Sequence, residues 1–221
     1  MRRLPRLLLA AAALFAAAGA ASQELYERNA DYRRQTELFA LYGDDTVDVV
    51  MLGNSLTAGA QWHEMLRGWR VAGRGIRSDV TAGYLARLDG VFRLHPRVCV
   101  VEGGINDLYA GVPEDEIVRN MGLLVRRLAA GGITPVVQSV LPVSPLWKGS
   151  EENNPRVHAL NARLRALAAD EGAVFLDIVP AMTVQGRLRD DLTYDGVHLT
   201  ARGYAVWAEH LRAELRRLLP R

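Results

Sequence analysis

The chain has 221 residues, of which 49% are hydrophobic and 24% charged, the balance of a globular domain with one sizeable core. This composition, without internal repeats, excludes a disordered chain and a repeat protein. The formal net charge is only +2, which argues against a nucleic-acid partner.

Residues 1–21 have the pattern of a cleaved secretory signal. Three arginines precede an apolar stretch from Leu7 to Ala20, and small residues follow. The stretch is shorter than the roughly 20 apolar residues of a spanning helix, which favours cleavage over a retained anchor. Because the segment carries three arginines and no acid, its loss takes the charge from +2 to about −1. We expect a secreted or periplasmic protein without stable membrane insertion.

Residues 22–46 are predicted to be a helical extension that precedes a main domain at residues 47–221. Between Glu24 and Tyr42, charged residues alternate with apolar ones at a spacing close to helical, and Gly43 follows as a stop. We expect this helix to lie on the outside of the main domain.

The main domain opens with an almost continuous apolar run from Val47 to Leu52, as expected of a strand buried on both faces. The run ends in Gly53-Asn54-Ser55-Leu56, and small polar residues in this position lie where open parallel sheets bind their ligands. Gly-x-Ser after a strand also fits an ordinary turn and helix N-cap. Ser55 is therefore a candidate nucleophile that needs support from elsewhere in the chain.

Strand and helix patterns alternate through the rest of the chain. Further strands are predicted at 71–72, 98–101, 133–140 and 173–178, and helices at 57–69, 78–94, 113–130, 155–169 and 201–219, with irregular stretches at 141–154 and 180–199. The single cysteine, Cys99, lies inside a predicted strand and is expected to be buried and unpaired.

Five such alternations predict an α/β fold, a three-layer α/β/α sandwich around a five-stranded parallel sheet with right-handed crossovers. In such a fold the loops at the carboxyl ends of the strands meet at one edge. We expect Ser55, Gly75, Asn106 and the stretch before the last helix to lie there.

The stretch before the last helix contains Asp195-Gly196-Val197-His198. An aspartate three residues before a histidine, with glycine between them for a tight turn, can place its carboxylate against Nδ1 and leave Nε2 free. The same residues also fit a surface Asp-Gly turn beside the helix N-cap Thr200. Taken alone, this stretch does not decide between the two.

Four blocks together resemble the SGNH (GDSL) hydrolase family. They come in family order and are Gly53-Asn54-Ser55-Leu56, Gly73-Arg74-Gly75-Ile76, Gly104-Ile105-Asn106-Asp107 and Asp195-Gly196-Val197-His198. The resemblance implies a flavodoxin-like fold, a cofactor-free esterase, Ser55 as nucleophile, His198 as general base and Asp195 as its orienting partner. It further implies an oxyanion hole made by the N–H groups of Ser55 and Gly75 and the amide of Asn106.

Two residues depart from the family pattern. Asn54 stands where the family usually has aspartate, and this change is expected to affect loop hydrogen bonding more than the chemical step. Gly73 stands where many members have asparagine, which bears on the local geometry around Gly75 but leaves its N–H in place.

Other enzyme classes fit the sequence less well. An α/β-hydrolase elbow needs a second glycine where the chain has Thr57. A dinucleotide-binding site is poorly supported, because Gly73 and Gly75 are not followed by the third glycine and the later acidic residue of that motif. A zinc-protease pattern begins at His63 and Glu64, but Arg67 stands where its second histidine would be. The remaining histidines are isolated, so we assign no metal.

The substrate is expected to be a small-molecule or glycan ester. Trp62 and Trp147 are both open to interpretation, since a tryptophan at helical spacing is usually core, whereas Trp147 lies in a loop near the cleft edge. We take both, with Arg74, as candidate substrate-binding residues. Residues of this polar or amphipathic kind, with Asn106, Tyr109 and Tyr194, suit a sugar ring better than a hydrocarbon chain.

The resemblance points to the secreted branch that includes sialate O-acetylesterase-like and other carbohydrate deacetylases, and hence to O-acetyl groups on carbohydrate. A lysophospholipase or thioesterase, which needs an extended apolar groove for the acyl tail, is one alternative. A glycan-binding relative without turnover is the other, although a binding module has no need to keep all of Ser55, Asn106, Asp195 and His198.

Overall fold

The computed structural model describes residues 23–42 and 45–220, and a parallel sheet lies at its centre. The strands of this sheet are β1 Val49–Gly53, β2 Val71–Gly75, β3 Val98–Val101, β4 Thr134–Gln138 and β5 Val174–Leu176. Their order is β2-β1-β3-β4-β5, and each neighbouring pair is parallel. This is the flavodoxin-like order, whose switch point lies between β1 and β3. The predicted five-stranded sheet is confirmed.

Helices cover both faces of the sheet, which confirms the three-layer arrangement. They are α1 Ala30–Leu41, α2 Ser55–Ala58, α3 Trp62–Met65, α4 Thr81–Ala86, α5 Asp89–Phe92, α6 Ile105–Tyr109, α7 Glu114–Ala130, α8 Ser150–Asp170, α9 Val179–Met182 and α10 Ala201–Leu218. Successive β1 residues point to opposite faces. Leu52 belongs to the core formed with α7 and α8, whereas Met51 belongs to the core formed with Trp207 of α10.

The helix predicted over 57–69 is in fact two short helices, α2 and α3. The hydroxyl of Tyr204 donates to the Leu56 carbonyl at 2.8 Å, and the indole N–H of Trp62 donates to the Thr57 carbonyl at 2.8 Å. A continuing helix would need both carbonyls as acceptors. The side chains of Tyr204 in α10 and Trp62 at the start of α3 instead bond these carbonyls, and α2 ends after one turn.

Other boundaries also differ from the predictions. The helix predicted over 78–94 is divided into α4 and α5, and α8 begins at Ser150, so that Pro155 lies inside it. The stretch 180–199 is not wholly irregular, because it holds α9, a 3₁₀ turn at Asp190–Leu192 and a hairpin of β6 Thr183–Val184 with β7 Arg187–Leu188. The two hairpin residues at 185 and 186 both have positive φ, as a tight primed turn requires.

Helix α1 lies on the β2 side of the sheet, and none of its own residues is fully buried. The hydroxyl of Tyr32 donates to the Gly83 carbonyl at 2.9 Å, and the amide of Asn29 donates to the Arg77 carbonyl at 2.8 Å. The predicted signal at residues 1–21 lies outside the described residues. Within residues 23–42 and 45–220, no helix has the length and apolar character needed to cross a membrane.

Candidate active site

Ser55 is the first residue of α2, directly after the carboxyl end of β1. Asn54 caps this helix, since its side-chain oxygen accepts from the Leu56 N–H at 2.8 Å. A residue in the first helical position has no intrahelical partner for its own N–H. The Ser55 N–H is therefore free of the helix ladder, and its hydroxyl is only partly buried.

The fold brings Ser55 and His198 together across 143 residues of sequence. The Ser55 hydroxyl lies 3.0 Å from Nε2 of His198, and Nδ1 of His198 lies 2.6 Å from Oδ2 of Asp195. The three side chains thus form a continuous hydrogen-bonded chain. This is the geometry in which a histidine accepts the serine proton while the carboxylate holds the ring in place.

The turn before α10 fixes the carboxylate of Asp195. Its Oδ1 accepts from the N–H groups of His198 at 2.7 Å and Val197 at 2.9 Å. Gly196 has φ +94°, and a Cβ there would meet the Trp147 backbone nitrogen at 2.6 Å, so glycine is required. Burial alone would raise the pKa of Asp195, but the hydrogen bonds from the His198 ring and these N–H groups outweigh burial and lower that pKa. The carboxylate is therefore ionised and directed at Nδ1.

The two other predicted oxyanion donors lie on elements next to β1. Gly75 ends β2 and packs against the helix of the nucleophile, where a Cβ would come within 2.2 Å of the Ala58 nitrogen. Asn106 is the second residue of α6 and donates one amide hydrogen to the Asp79 carbonyl at 2.9 Å. This bond fixes the amide and leaves its second hydrogen for another acceptor.

Asn106→Ala is expected to lower kcat by roughly 10²–10³ with KM little changed, because an oxyanion donor binds the transition state more strongly than the ground-state carbonyl. Steady-state kinetics on an acetyl ester measure both constants. A normal kcat with a raised KM would show that Asn106 binds substrate and lies outside the oxyanion hole.

Glu102, a residue that the sequence patterns did not indicate, lies beneath the nucleophile turn. It is 1% exposed and accepts from the Asn54 amide at 3.0 Å and from the Thr57 hydroxyl at 3.2 Å. The aspartate usual at position 54 in the family would face this carboxylate with a like charge. Asn54 instead donates to it, which gives a physical reason for the departure from the family pattern.

Glu102→Gln is expected to stabilise the fold more at pH 8 than at pH 4.5. Burial raises the pKa of Glu102 from 4.5 to about 7, although the hydrogen bonds from Thr57 and Asn54 lower it. The folded state therefore holds a proton that the unfolded state releases, and this carboxyl costs stability as pH rises from 4.5 to 7, by about 3 kcal/mol in full. Urea unfolding at the two pH values measures the difference.

The exposed Glu64→Gln is the matched control for this substitution and should show no such pH dependence. Asp79 and Asp107, whose pKa values burial raises to about 6, affect wild type and variant alike and cancel in the comparison. An equal effect of Glu102→Gln on stability at both pH values would contradict the raised pKa of the buried Glu102 carboxyl.

Aromatic side chains lie beside the candidate triad. The ring of Tyr194 stacks on His198 with centroids 6.0 Å apart, and Trp147 stacks on Tyr109 at the same separation. The Trp147 backbone approaches Gly196, in the turn that carries the triad aspartate. Trp147 and Tyr194 are 38% and 67% exposed, so both have ring surface available to a ligand.

Two predicted substrate-binding residues, Trp62 and Arg74, do not lie in this cleft. Trp62 is 2% exposed and packs edge-on against Trp207 at 4.8 Å, so it belongs to the core. The Arg74 guanidinium lies 4.7 Å above the ring of Phe39 and borders a cavity of about 290 Å³ between α1 and α5. None of the triad residues lines this cavity. Both predictions are corrected: Trp62 takes the core position that is usual for a tryptophan at helical spacing, and the Arg74 side chain packs on Phe39 of α1 instead of facing the triad.

In the part of the chain that the structure describes, no group of three histidine, cysteine, aspartate or glutamate side chains is arranged to hold a metal ion. Cys99 is buried and unpaired.

Residues 51–206 match the model of the GDSL-like lipase/acylhydrolase family. The chain belongs to this family. The match covers more than half of the chain, and the protein is therefore an ester hydrolase. None of the curated proteins matches the chain.

Solved structures of this GDSL-family chain's relatives agree with its fold. A GDSL-like lipase from Bacteroides thetaiotaomicron VPI-5482 is 25% identical, with a TM-score of 0.76 over 87% of this chain and 100% of that one. A lipase/acylhydrolase from Enterococcus faecalis is 20% identical, with a TM-score of 0.67 over 79% and 98%. Axe2, an acetylxylan esterase from Geobacillus stearothermophilus, is 16% identical, with a TM-score of 0.65 over 81% and 97%.

Proposed function

We propose that this GDSL-family hydrolase is a secreted or periplasmic serine esterase that removes acetyl groups from carbohydrate through an acyl-enzyme. The observation that carries the chemistry is the Ser55–His198–Asp195 chain, with its distances of 3.0 and 2.6 Å. The exposed aromatic rings beside the triad support the substrate class, since sugar rings pack well on such surfaces.

The reaction that this geometry supports has two halves. The Ser55 oxygen attacks the ester carbonyl carbon while Nε2 of His198 takes the hydroxyl proton, and the charge that develops on the carbonyl oxygen is held by the N–H groups of Ser55 and Gly75 and the Asn106 amide. Collapse of the tetrahedral intermediate breaks the bond to the alcohol, which leaves with the proton from His198. Water then attacks the acyl group in the same way and releases the acid and free Ser55.

Two proteins that share the fold of this chain are named as acetylxylan esterases. Besides Axe2, the acetyl xylan esterase AlAXEase shares the fold, with a TM-score of 0.67 at 20% identity. These names describe those proteins, and at this identity they bear on the fold alone. The polar and amphipathic surroundings of the triad in this chain point in the same direction.

An acyl-chain series tests the proposal. Acetyl, butyryl, octanoyl and palmitoyl esters of one leaving group should show kcat/KM highest for acetyl. The side chains described beside the triad, such as Tyr194 and Trp147, are amphipathic, so we expect a longer acyl chain to gain little of the roughly 0.8 kcal/mol per buried methylene. A kcat/KM that rises steadily with chain length would replace this proposal with a lipase or thioesterase.

A substitution at Trp147 tests whether the substrate is a carbohydrate. Trp147→Ala should raise KM for an acetylated xylo-oligosaccharide and leave KM for ethyl acetate unchanged, since only the former has rings that can stack on the indole. Its neighbour Leu146, which is 59% exposed, provides the control Leu146→Ala. Equal effects of Trp147→Ala on both substrates would argue against a glycan.

Export and the domain boundaries are also proposals. We infer that residues 1–21 are removed, that 22–46 are an extension and that 47–221 are the hydrolase domain. Mass spectrometry of protein from the native host should find a start between about Ala21 and Gln23. Recovery of an intact Met1 would overturn the export proposal.

A further inference from the structure

Arg74 is a buried cation without a carboxylate partner in the part of the chain that the structure describes. The residue is 9% exposed, and its guanidinium makes one hydrogen bond there, from Nη1 to the Gly73 carbonyl at 3.0 Å. Its Nε is buried without an acceptor. Buried arginines are almost always paired, because an unpaired charge is costly to remove from water. Arg74 therefore has donors available for an acceptor from outside the chain.

Arg74 lines the cavity of about 290 Å³ between α1 and α5. This volume corresponds to roughly ten water molecules. Tyr32 and Phe39 of α1 and Val91 of α5 also line it, and the Arg74 guanidinium lies 4.7 Å from the ring centroid of Phe39. The cavity therefore has room, and apolar walls, for a ligand larger than a simple inorganic ion.

The charges around the cavity favour an anion. Two further arginines, Arg87 and Arg93, line it, and Asp89 is the one acid among the lining residues. Arg87 is already paired with Asp79 at 2.8 Å, and Asp89, whose side chain is 89% exposed, pairs with an arginine outside the cavity at 3.4 Å. Burial lowers the pKa of Arg74, and the charges of Arg87 and Arg93 lower that pKa further. A bound anion would offset this repulsion.

We propose that this cavity binds a small organic carboxylate, which Arg74 and Arg93 hold by its charge while Phe39 and Val91 pack on its apolar part. A guanidinium can bond both oxygens of a carboxylate at once. Inorganic phosphate would meet the same charges but would leave the apolar walls uncovered. None of the triad residues lines the cavity, so the site is separate from the ester-hydrolysing one.

A carboxylate in this cavity would lie between α1 and the main domain. No residue of α1 is fully buried, yet Tyr32, Thr36 and Phe39 of this helix line the cavity. The ligand would thus contact the helix on one side and β2 and α5 on the other. Its binding should depend on α1 as well as on Arg74.

Benzoate is the probe that tests the proposal, because it carries a carboxylate on an apolar ring. In a titration of the purified protein at constant ionic strength, followed by ¹H–¹⁵N NMR, the amide resonance of Gly90 at the cavity should move saturably. The resonances of the remote Gly132 and of Gly196 in the triad turn should not move. Benzamide, which is neutral and of the same shape, should leave Gly90 unmoved at the same concentrations.

Arg74→Gln should raise the Kd for benzoate about 10- to 100-fold, as expected for the loss of a hydrogen bond between charged groups. Arg93 is exposed, so Arg93→Gln should raise the Kd only about two- to fivefold. Arg97→Gln is the matched control, because Arg97 is also exposed but does not line the cavity. Phe39→Ala, on the other wall, should raise the Kd as well and tests the site even if Arg74→Gln does not fold.

Four results would overturn the proposal. They are the absence of a saturable shift at Gly90, an equal shift with benzamide, an unchanged Kd in the folded cavity variants, and movement of Gly196 in place of Gly90, which would place benzoate at the triad. A shift of Gly90 with phosphate but not with benzoate would overturn the organic carboxylate. The titration measures no turnover, so its result is independent of the proposed esterase function.

Discussion

Ser55→Ala and His198→Ala are each expected to remove nearly all esterase activity, with kcat falling by on the order of 10⁴–10⁶. Alanine at 55 leaves no nucleophile, and alanine at 198 removes the ring nitrogen that lies 3.0 Å from the Ser55 hydroxyl and takes its proton. The double variant should lose little more than either single one, since neither group works without the other.

Steady-state kinetics on an acetyl ester measure these losses, and circular dichroism checks that each variant is folded. His63→Ala is the matched control, because His63 is 65% exposed and contacts only Glu64 among the described ion pairs. It should retain wild-type kcat. Independent losses that multiply in the double variant would contradict a shared role of Ser55 and His198.

Asp195→Asn is expected to lower kcat by about 10⁴ while the fold is preserved. The side-chain oxygen of asparagine can still accept from the N–H groups of Val197 and His198, so the turn is kept. Its NH₂ group then faces Nδ1 of His198 and requires Nδ1 as acceptor. The ring would carry its proton on Nε2, where it cannot accept the Ser55 proton.

Thermal unfolding and kinetics on the same preparation separate the two effects of this substitution. Asp191→Asn is the control, because Asp191 is an exposed aspartate held by Arg189 and Arg202. A small change in kcat for Asp195→Asn, with the turn intact, would show that the histidine is oriented by something other than this carboxylate.

The sheet and the contact between Asp195 and His198 could be predicted from the sequence because their signals are local. An apolar run that ends abruptly in Gly53-Asn54-Ser55 identifies both a buried strand and the turn that follows it. The three-residue spacing of Asp195 and His198 lets a tight turn join them, as the 2.6 Å contact shows. The link between the Ser55 turn and the Asp195–His198 turn came only from the resemblance, in which four short blocks occur in family order along the chain.

What the sequence could not show depends on contacts between distant elements. The single helix expected at 57–69 is broken by hydrogen bonds from Tyr204 and Trp62. The bond from Tyr204 could not be predicted from residues 57–69, because Tyr204 lies in the last helix. Glu102 follows an apolar strand, which was the only local sign that its carboxyl is buried. Arg87, whose side chain is 6% exposed and pairs with the buried Asp79, is one of 26 arginines in the sequence, and only the fold distinguishes it from the exposed ones.

Labelling with a fluorophosphonate probe tests the central claim most directly, because the probe reacts covalently with an activated serine. The account predicts one adduct per chain of the purified protein, on the peptide that contains Ser55, competed by an acetyl ester substrate and absent from Ser55→Ala. Labelling should also be nearly abolished in His198→Ala and retained in His63→Ala. No adduct on the folded wild-type protein, or an adduct on a serine other than Ser55, would contradict Ser55 as the nucleophile.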